Sequence, residues 1–335
     1  MREPAFWWRE GSLASALLAP LAAVYGAIAK WRLARPGRRP GVPVVCIGNL
    51  TVGGAGKTPT ALIVARMLAT AGERPMFLSR GYGGALAGPL IVDPARHRAR
   101  AVGDEPLLLA RTAPTIVARD RVKGAGIAAS ASAIVMDDGF HNPSLAKDFS
   151  VLVVDARRGI GNGRVIPAGP LRAPLDAQLA RAHALVVVGP ATGGSAITEI
   201  ARDRNIPVFR ASLQADNAFI AGLAGHRLLA FAGIGDPQKF FATLAESGAA
   251  LAATRSFADH HRYTRREAAA LCEEADRKGL TLVTTEKDLA RLSGEEQPLS
   301  ARARALPVTL VFEDAARFES LLLERLAAAR GASDA

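Results

Sequence analysis

Residues 42–50 read VPVVCIGNL, a run almost free of polar side chains. A continuous apolar stretch of this length predicts a strand covered on both faces, as in a parallel sheet. From residue 58 the pattern changes to TPTALIVARMLATAG, with apolar positions at helical spacing and Gly72 as the stop. Strand-like runs at 75–79, 90–92, 114–118, 132–136, 150–154 and 184–188 then alternate with helical stretches. That alternation predicts a doubly wound α/β core. Residues 207–226 read as a connector, and from RLLAFAGIG (227–235) a second, smaller βα series begins. Its strands are expected near 228–233, 249–255, 280–284 and 306–312. The expected organisation is an N-terminal helical segment over 1–40, a core over 41–206, the connector, and a smaller α/β domain over 227–330 that closes over a cleft.

Ahead of the core, GSLASALLAPLAAVYGAIA (11–29) carries no charge and is followed by Lys30, Arg32, Arg35, Arg38 and Arg39. It is short, Ala-rich and interrupted by Pro20, which argues against a spanning helix. Glu3 and Glu10 spoil the positive first region of a signal peptide. The preferred reading is a helix at a membrane interface, with Trp7 and Trp8 at headgroup depth and the arginines meeting anionic lipid. A helix packed on the protein itself is the alternative. At the other end, the tail GASDA reads as loose.

Charge sharpens this picture. The chain of 335 residues has a formal net charge of +11, favouring acidic partners: nucleic acid, an anionic membrane surface or a phosphorylated substrate. Aromatics are only 5%, with no basic–aromatic interleaving, which argues against nucleic acid. Cys46 and Cys272 lack partners at metal-ligand spacing and read as buried thiols, suited to a reducing cytoplasm.

The candidate chemistry lies between the first strand and its helix. TVGGAGKT (51–58) departs from G-x-x-x-x-G-K-[ST] only in carrying Thr51 where glycine is usual. Strand, glycine-rich loop and helix together define a phosphate-binding P-loop. Thr51, Val52, Gly53, Gly54, Ala55, Gly56, Lys57 and Thr58 would surround the phosphates, Lys57 supplying charge and Thr58 a hydroxyl for Mg²⁺. SAIVMDDGF (132–140) delivers Asp137 and Asp138 at a strand end, where a metal beside a P-loop is held; a turn is the plain alternative. Asp155 reads as a turn or cap. TTEKD (284–288) has the wrong spacing for a guanine-reading N-K-x-D, so ATP is the expected nucleotide.

The chain resembles the tetraacyldisaccharide 4'-kinase family over nearly its whole length. The resemblance is carried by GNLTVGGAGKTP (48–59), LSRGYGG (78–84), VGDEP (102–106), DDGF (137–140), NGRVIPAGPLR (162–172), FAGIGDP (231–237), FADHH (257–261) and TTEKD, behind an apolar N-terminal helix. It implies transfer of the ATP γ-phosphate to the 4'-hydroxyl of an anionic acylated disaccharide 1-phosphate, at the cytoplasmic face of the bacterial inner membrane. The expected state is a peripheral or monotopic monomer. It also implies a carboxylate–imidazole pair, Asp104 as base and His260 orienting it, brought together across the cleft. Without it, Asp104 reads equally as a helix cap and His260 as a solvated turn. Arg80, Arg119, Arg121 and Arg172 are candidates to grip phosphate, Arg80 and Arg119 foremost, with His141 in the substrate site.

Two departures stand out. The family continues DDGF with Gln-His, whereas this chain has His141-Asn142, which would make a site group titrate near neutrality. The family's acid after PLR, placed near the metal, is Ala173 here. Two other readings remain open: a P-loop kinase for a soluble metabolite, and an ATP-switched membrane adaptor.

Overall fold

A computed structural model describes residues 3–190, 194–293 and 298–331. The tail read as loose therefore lies, apart from Gly331, outside the described residues. Two sheets carry the fold. The larger uses β1 (Val44–Asn49), β2 (Pro75–Ser79), β3 (Leu90–Ile91), β4 (Thr115–Val117), β5 (Ala133–Asp137), β6 (Phe149–Asp155), β7 (Ala184–Val188) and β8 (Val208–Ala215). The smaller uses β9 (Arg227–Ala232), β10 (Ala250–Ser256), β11 (Thr281–Thr285) and β12 (Arg304–Leu306), and β13 (Val308–Phe312) returns to the larger.

The order in the large sheet is β13-β8-β7-β6-β1-β5-β2-β4-β3. Only the outer pairs, β13 with β8 and β3 with β4, run antiparallel. The uninterrupted apolar runs are explained by burial: β1, β2, β5, β6 and β7 are buried at every position. β1 sits between β5 and β6, so the chain winds away from it in both directions. Such a switch point opens a crevice at the carboxyl ends of the strands, and the glycine loop follows β1 there.

The smaller sheet, order β10-β9-β11-β12, is wholly parallel and has its own apolar clusters. Its composition differs from the sequence reading in two places. The stretch 207–226 is no simple connector: β8 joins the large sheet beside β7. The run 306–312 is two strands, of which β12 stays with the small sheet and β13 pairs with β8. The helix Ala315–Gly331 follows β13 back, burying Phe318, Leu322 and Leu326 against Phe149, Val151 and Phe209. Each fully buried side chain of this kind contributes about 1.5–3 kcal/mol.

The N-terminal segment forms a short turn Ala5–Trp8 and helices Leu13–Leu17 and Ala19–Ala34, with Pro20 in the first turn of the second. It is pinned at one end. Trp7 is buried and donates its indole N–H to Pro167 O at 2.9 Å, and Ser15 Oγ donates to Ala168 O at 2.7 Å. Trp7 is therefore a packing anchor rather than an interfacial residue. The exposed apolar face comes instead from Leu13, Leu17, Leu21, Val24, Tyr25, Ile28 and Trp31. Among the described residues, no helix is long and apolar enough to cross a membrane.

Candidate active site

The loop between β1 and the helix Lys57–Thr70 is shaped by its backbone. Gly53 and Gly56 have φ of 102° and 94°, a left-handed conformation that side chains disfavour. Asn49 Nδ2 braces the loop by donating to Thr51 O at 2.6 Å and Gly53 O at 3.1 Å. Thr51 pairs with Leu171, and Arg172 Nε donates to its carbonyl at 3.1 Å. The missing glycine is thus harmless, because position 51 is held as a strand bridge and not as a tight turn. Lys57 Nζ lies 3.5 Å from Gly53 O and 3.8 Å from Asp138 Oδ2. Burial pushes its pKa down, with Asp138 opposing.

β5 pairs Asp137 with Ile47 of β1, which sets its carboxylate beside the helix start. Thr58 Oγ1 donates to Asp137 Oδ2 at 2.9 Å, while Asp137 Oδ1 is buried without a partner. Burial, reinforced by the Glu105 charge, raises the Asp137 carboxyl to about 7. An orphaned buried carboxylate oxygen beside a hydroxyl is a hard-oxygen donor set that suits Mg²⁺, which takes its other ligands from water and phosphate. Among the described residues, no group of three or more acidic, His or Cys side chains is assembled for a metal. Asp138, expected as its twin, is engaged otherwise. Burial opposes its ionisation, but Lys57 and Arg172 outweigh it and hold the carboxyl at about 2. Arg172 Nη1 reaches Asp138 Oδ1 at 2.9 Å.

Across the cleft the structure brings together Asp104 and His260. Asp104, 3% exposed, opens the helix Asp104–Leu109, and His260 follows β10 in the small lobe. His260 Nδ1 lies 3.2 Å from Asp104 Oδ1. His260 has φ 55°, sparsely populated for a residue with a side chain and often found at functional sites. Two cations missing from the sequence reading complete the joint. Arg291 Nε donates to Asp104 Oδ2 at 2.6 Å, and its Nη1 donates to Asp288 Oδ1 and Gly233 O. Lys287 Nζ donates to Glu105 Oε1 at 2.6 Å. Both lie on the helix Glu286–Leu292, four residues apart on one face, and TTEKD is where a signal existed. Burial opposes ionisation of Asp104, yet the His260 hydrogen bond and the Arg291 charge hold its carboxyl well below the ordinary range. The same hydrogen bond raises the pKa of His260.

A second row of contacts joins the lobes on the other side. Lys239 Nζ donates to Asp155 Oδ2 at 2.9 Å, and Arg158 Nη2 to Asp236 Oδ2 at 3.3 Å. Asp155 does form the expected turn, accepting from Arg157 N, but it is also half of this latch.

Between the rows lies a cavity of about 830 Å³. Residues 52–58 of the loop, Asp137, Asp138 and His260 line it, together with all four candidate arginines and His141. Arg121 is buried, donates to Ala118 O and keeps Nε unpartnered, whereas Arg80 and Arg119 are exposed. Asp104 stands behind His260 and is not part of the wall. At the far end the wall is Tyr25, Ile28, Ala29, Arg32 and Leu33 of the N-terminal helix, continuous with the exposed apolar face.

Of the two departures, the first does not behave as expected and the second does. His141 does not titrate near neutrality, because burial and the nearby Arg172 charge lower its pKa to about 4. Its Nε2 hydrogen-bonds Gln178 Oε1 at 2.8 Å. Ala173 is fully buried in the core, its carbonyl accepting from Gln178 Nε2, so that position is packing here and not a metal ligand.

A P-loop on a doubly wound sheet, a strand-end carboxylate beside its Thr, and an acid–imidazole pair across a two-lobed cleft define a phosphotransferase of the P-loop class. The chain belongs, more particularly, to the tetraacyldisaccharide-1-P 4'-kinase family, whose model matches residues 14–327. It is 56% identical over 332 residues to the tetraacyldisaccharide 4'-kinase of Rhodopseudomonas palustris (strain BisA53), covering 98% of this chain and 97% of that one. It is 54% identical to the tetraacyldisaccharide 4'-kinase of Bradyrhizobium sp. (strain BTAi1 / ATCC BAA-1182), covering 98% and 97%. The solved structure of LpxK from Aquifex aeolicus in complex with ATP matches with a TM-score of 0.74 and 27% identity, covering 94% of this chain and all of that one.

Proposed function

We propose that this chain transfers the γ-phosphate of ATP to the 4'-hydroxyl of a tetraacylated glucosamine disaccharide 1-phosphate, the lipid A precursor, at a membrane surface. One observation carries the reading. A single cavity has the P-loop at one wall, His260 backed by Asp104 at another and an apolar helix at its far end. A greasy sugar phosphate needs all three.

The residues divide the work. Lys57 and the loop amides hold the β and γ phosphates, and Thr58 with Asp137 would hold Mg²⁺, which neutralises phosphate charge when bound. Asp138 keeps Lys57 and Arg172 in place. The sugar hydroxyl gives its proton to the Asp104–His260 pair, which acts as a unit. His260 faces the cavity, and Asp104, fixed by Arg291, orients the ring and balances its charge. This reverses the order expected from sequence, where Asp104 met the hydroxyl. Arg80, Arg119 and Arg121 form the cationic stretch suited to the substrate's own phosphate. The face from Leu13, 82% exposed, and Leu17, 81% exposed, to Trp31 rests on lipid, with Arg32 and Arg35 at its rim.

Incubation with labelled ATP tests this against the soluble-metabolite kinase and the adaptor. Label moving to detergent-dispersed lipid A disaccharide, and not to a metabolite panel, supports the reading; transfer to a metabolite, or none with ATP still bound, ends it. The surface is tested separately with Val24→Asp/Ile28→Asp, which should lose co-sedimentation with anionic vesicles. Unchanged sedimentation would remove the lipid-facing role.

A further inference from the structure

Besides Lys57 and Arg172, a further cation beside the P-loop belongs to a residue that no motif singled out. Arg158, in the loop after β6, lies against Gly53. A Cβ built on Gly53 would meet Arg158 Nη1 at 3.9 Å and Glu3 Oε1 at 2.2 Å. Glu3 Oε2 accepts from Arg158 Nη1 at 2.6 Å, and Arg158 Nη2 donates to Asp236 Oδ2 at 3.3 Å. The Trp8 ring covers the guanidinium, 5.1 Å from its carbon. A carboxylate from the chain's start therefore sits on the phosphate-binding loop, bound to an arginine fork. Lys57, the residue that meets the β and γ phosphates in a P-loop, has its Nζ 3.5 Å from the carbonyl of that same glycine.

We propose that Arg158 is a further phosphate ligand of this kinase, supplied in cis to the terminal phosphate, and that Glu3 holds its place until ATP arrives. A carboxylate and a phosphate edge offer an arginine the same pair of acceptor oxygens, so one replaces the other without rebuilding the site. Nη2 stays on Asp236, which keeps the fork aimed while Nη1 changes partner. Burial pushes the Glu3 carboxyl above its ordinary range, so its seat is held at a cost in hydration and is readily surrendered. In the phosphoryl-transfer step the bond from γ-phosphorus to the bridging oxygen breaks and that to the 4'-oxygen forms. Arg158 takes no proton or electron pair; it offsets charge spread over the equatorial oxygens, as an arginine finger does. Because Asp236 belongs to the small lobe, Arg158 is presented only while the lobes are together. Glu3, on the segment that leads into the exposed apolar helix, links nucleotide binding to that helix.

This rests on the Lys57 loop being the triphosphate site, so the experiment includes a control for it. Binding of Mg-ATP and Mg-ADP to the full-length protein is measured by calorimetry for the wild type, Lys57→Ala, Arg158→Ala, Arg158→Lys, Glu3→Gln and Glu3→Gln/Arg158→Ala. Lys57→Ala should lose both nucleotides; retention of both would overturn the loop assignment and this proposal with it. Arg158→Ala should weaken ATP about tenfold or more and ADP less than about twofold, with turnover falling further, and Arg158→Lys should recover only part, because the fork is lost. Glu3→Gln should tighten ATP about threefold, and only when Arg158 is present, since coupled residues give non-additive effects. Equal losses for ATP and ADP in Arg158→Ala would mark a structural role and overturn the proposal, as would unchanged ATP affinity in both Arg158→Ala and Glu3→Gln.

Discussion

The two ends of the cleft are built in different ways. At the phosphate end, backbone does most of the work: left-handed glycines, a helix N-terminus and a strand register fix the loop against the centre of a buried sheet. At the hydroxyl end the site is made of side chains reaching across a gap, His260, Arg291 and Lys287 from one lobe to Asp104 and Glu105 of the other. The first end exists in the large lobe alone. The second is a contact between the lobes, so in the proposed reaction it would couple chemistry to closure.

The largest effect expected on this contrast is at the rigid end. Lys57→Ala removes the charge on the transferring group and should cut turnover by about 10² to 10³, read in a single-turnover assay, with the melting temperature little changed. A mutation at the assembled end should behave differently. Arg291→Met leaves Asp104 buried without its cation, a loss of about 3 kcal/mol or more, visible as a lower melting temperature together with lower activity. An unchanged melting temperature in Arg291→Met would mean the joint is looser than its geometry.

The contrast also decides what sequence could disclose. Local pattern exposed the phosphate end almost completely, because TVGGAGKT and its flanking elements are contiguous. The strand-end acids were equally plain. β8 was missed because VFRASLQA is only half-buried and lies near the sheet edge, where apolar and polar positions alternate. Its partner β13 could not be seen as such, since the chain builds the small lobe before returning. Arg291 and Lys287 were hidden for a similar reason: they meet their partners 187 and 182 residues away, and neither end announces the other. Asp104 and His260 came only through family resemblance. His141 was misjudged because burial, which silences its titration, is not written in a short motif.

The smallest expected effect is on the pH profile, and it sharpens the same division. His260 is raised above its ordinary value, near 6.5, by Asp104. Below the raised value the ring carries both protons and the pair cannot accept another, so kcat/KM should fall as pH falls through it. Stability has the opposite sign: the shift's contribution is fully present below the unfolded value and lost as pH rises through the folded one. His141, held near 4, should add no limb between pH 5 and 8, and His141→Gln should leave the profile in place. A profile whose acid limb moves with His141 instead of His260 would reassign the titrating group.

The claim at the centre is that Asp104 and His260 act as one unit, assembled between the lobes. A double-mutant cycle on Asp104→Asn and His260→Ala, with phosphate transfer to the disaccharide lipid and ATP affinity measured in each variant, tests it most directly. Each single change should lower transfer by about 10² or more with ATP affinity kept, and the double should be no worse than the poorer single. Full activity in either single variant, or losses that multiply in the double, would contradict it.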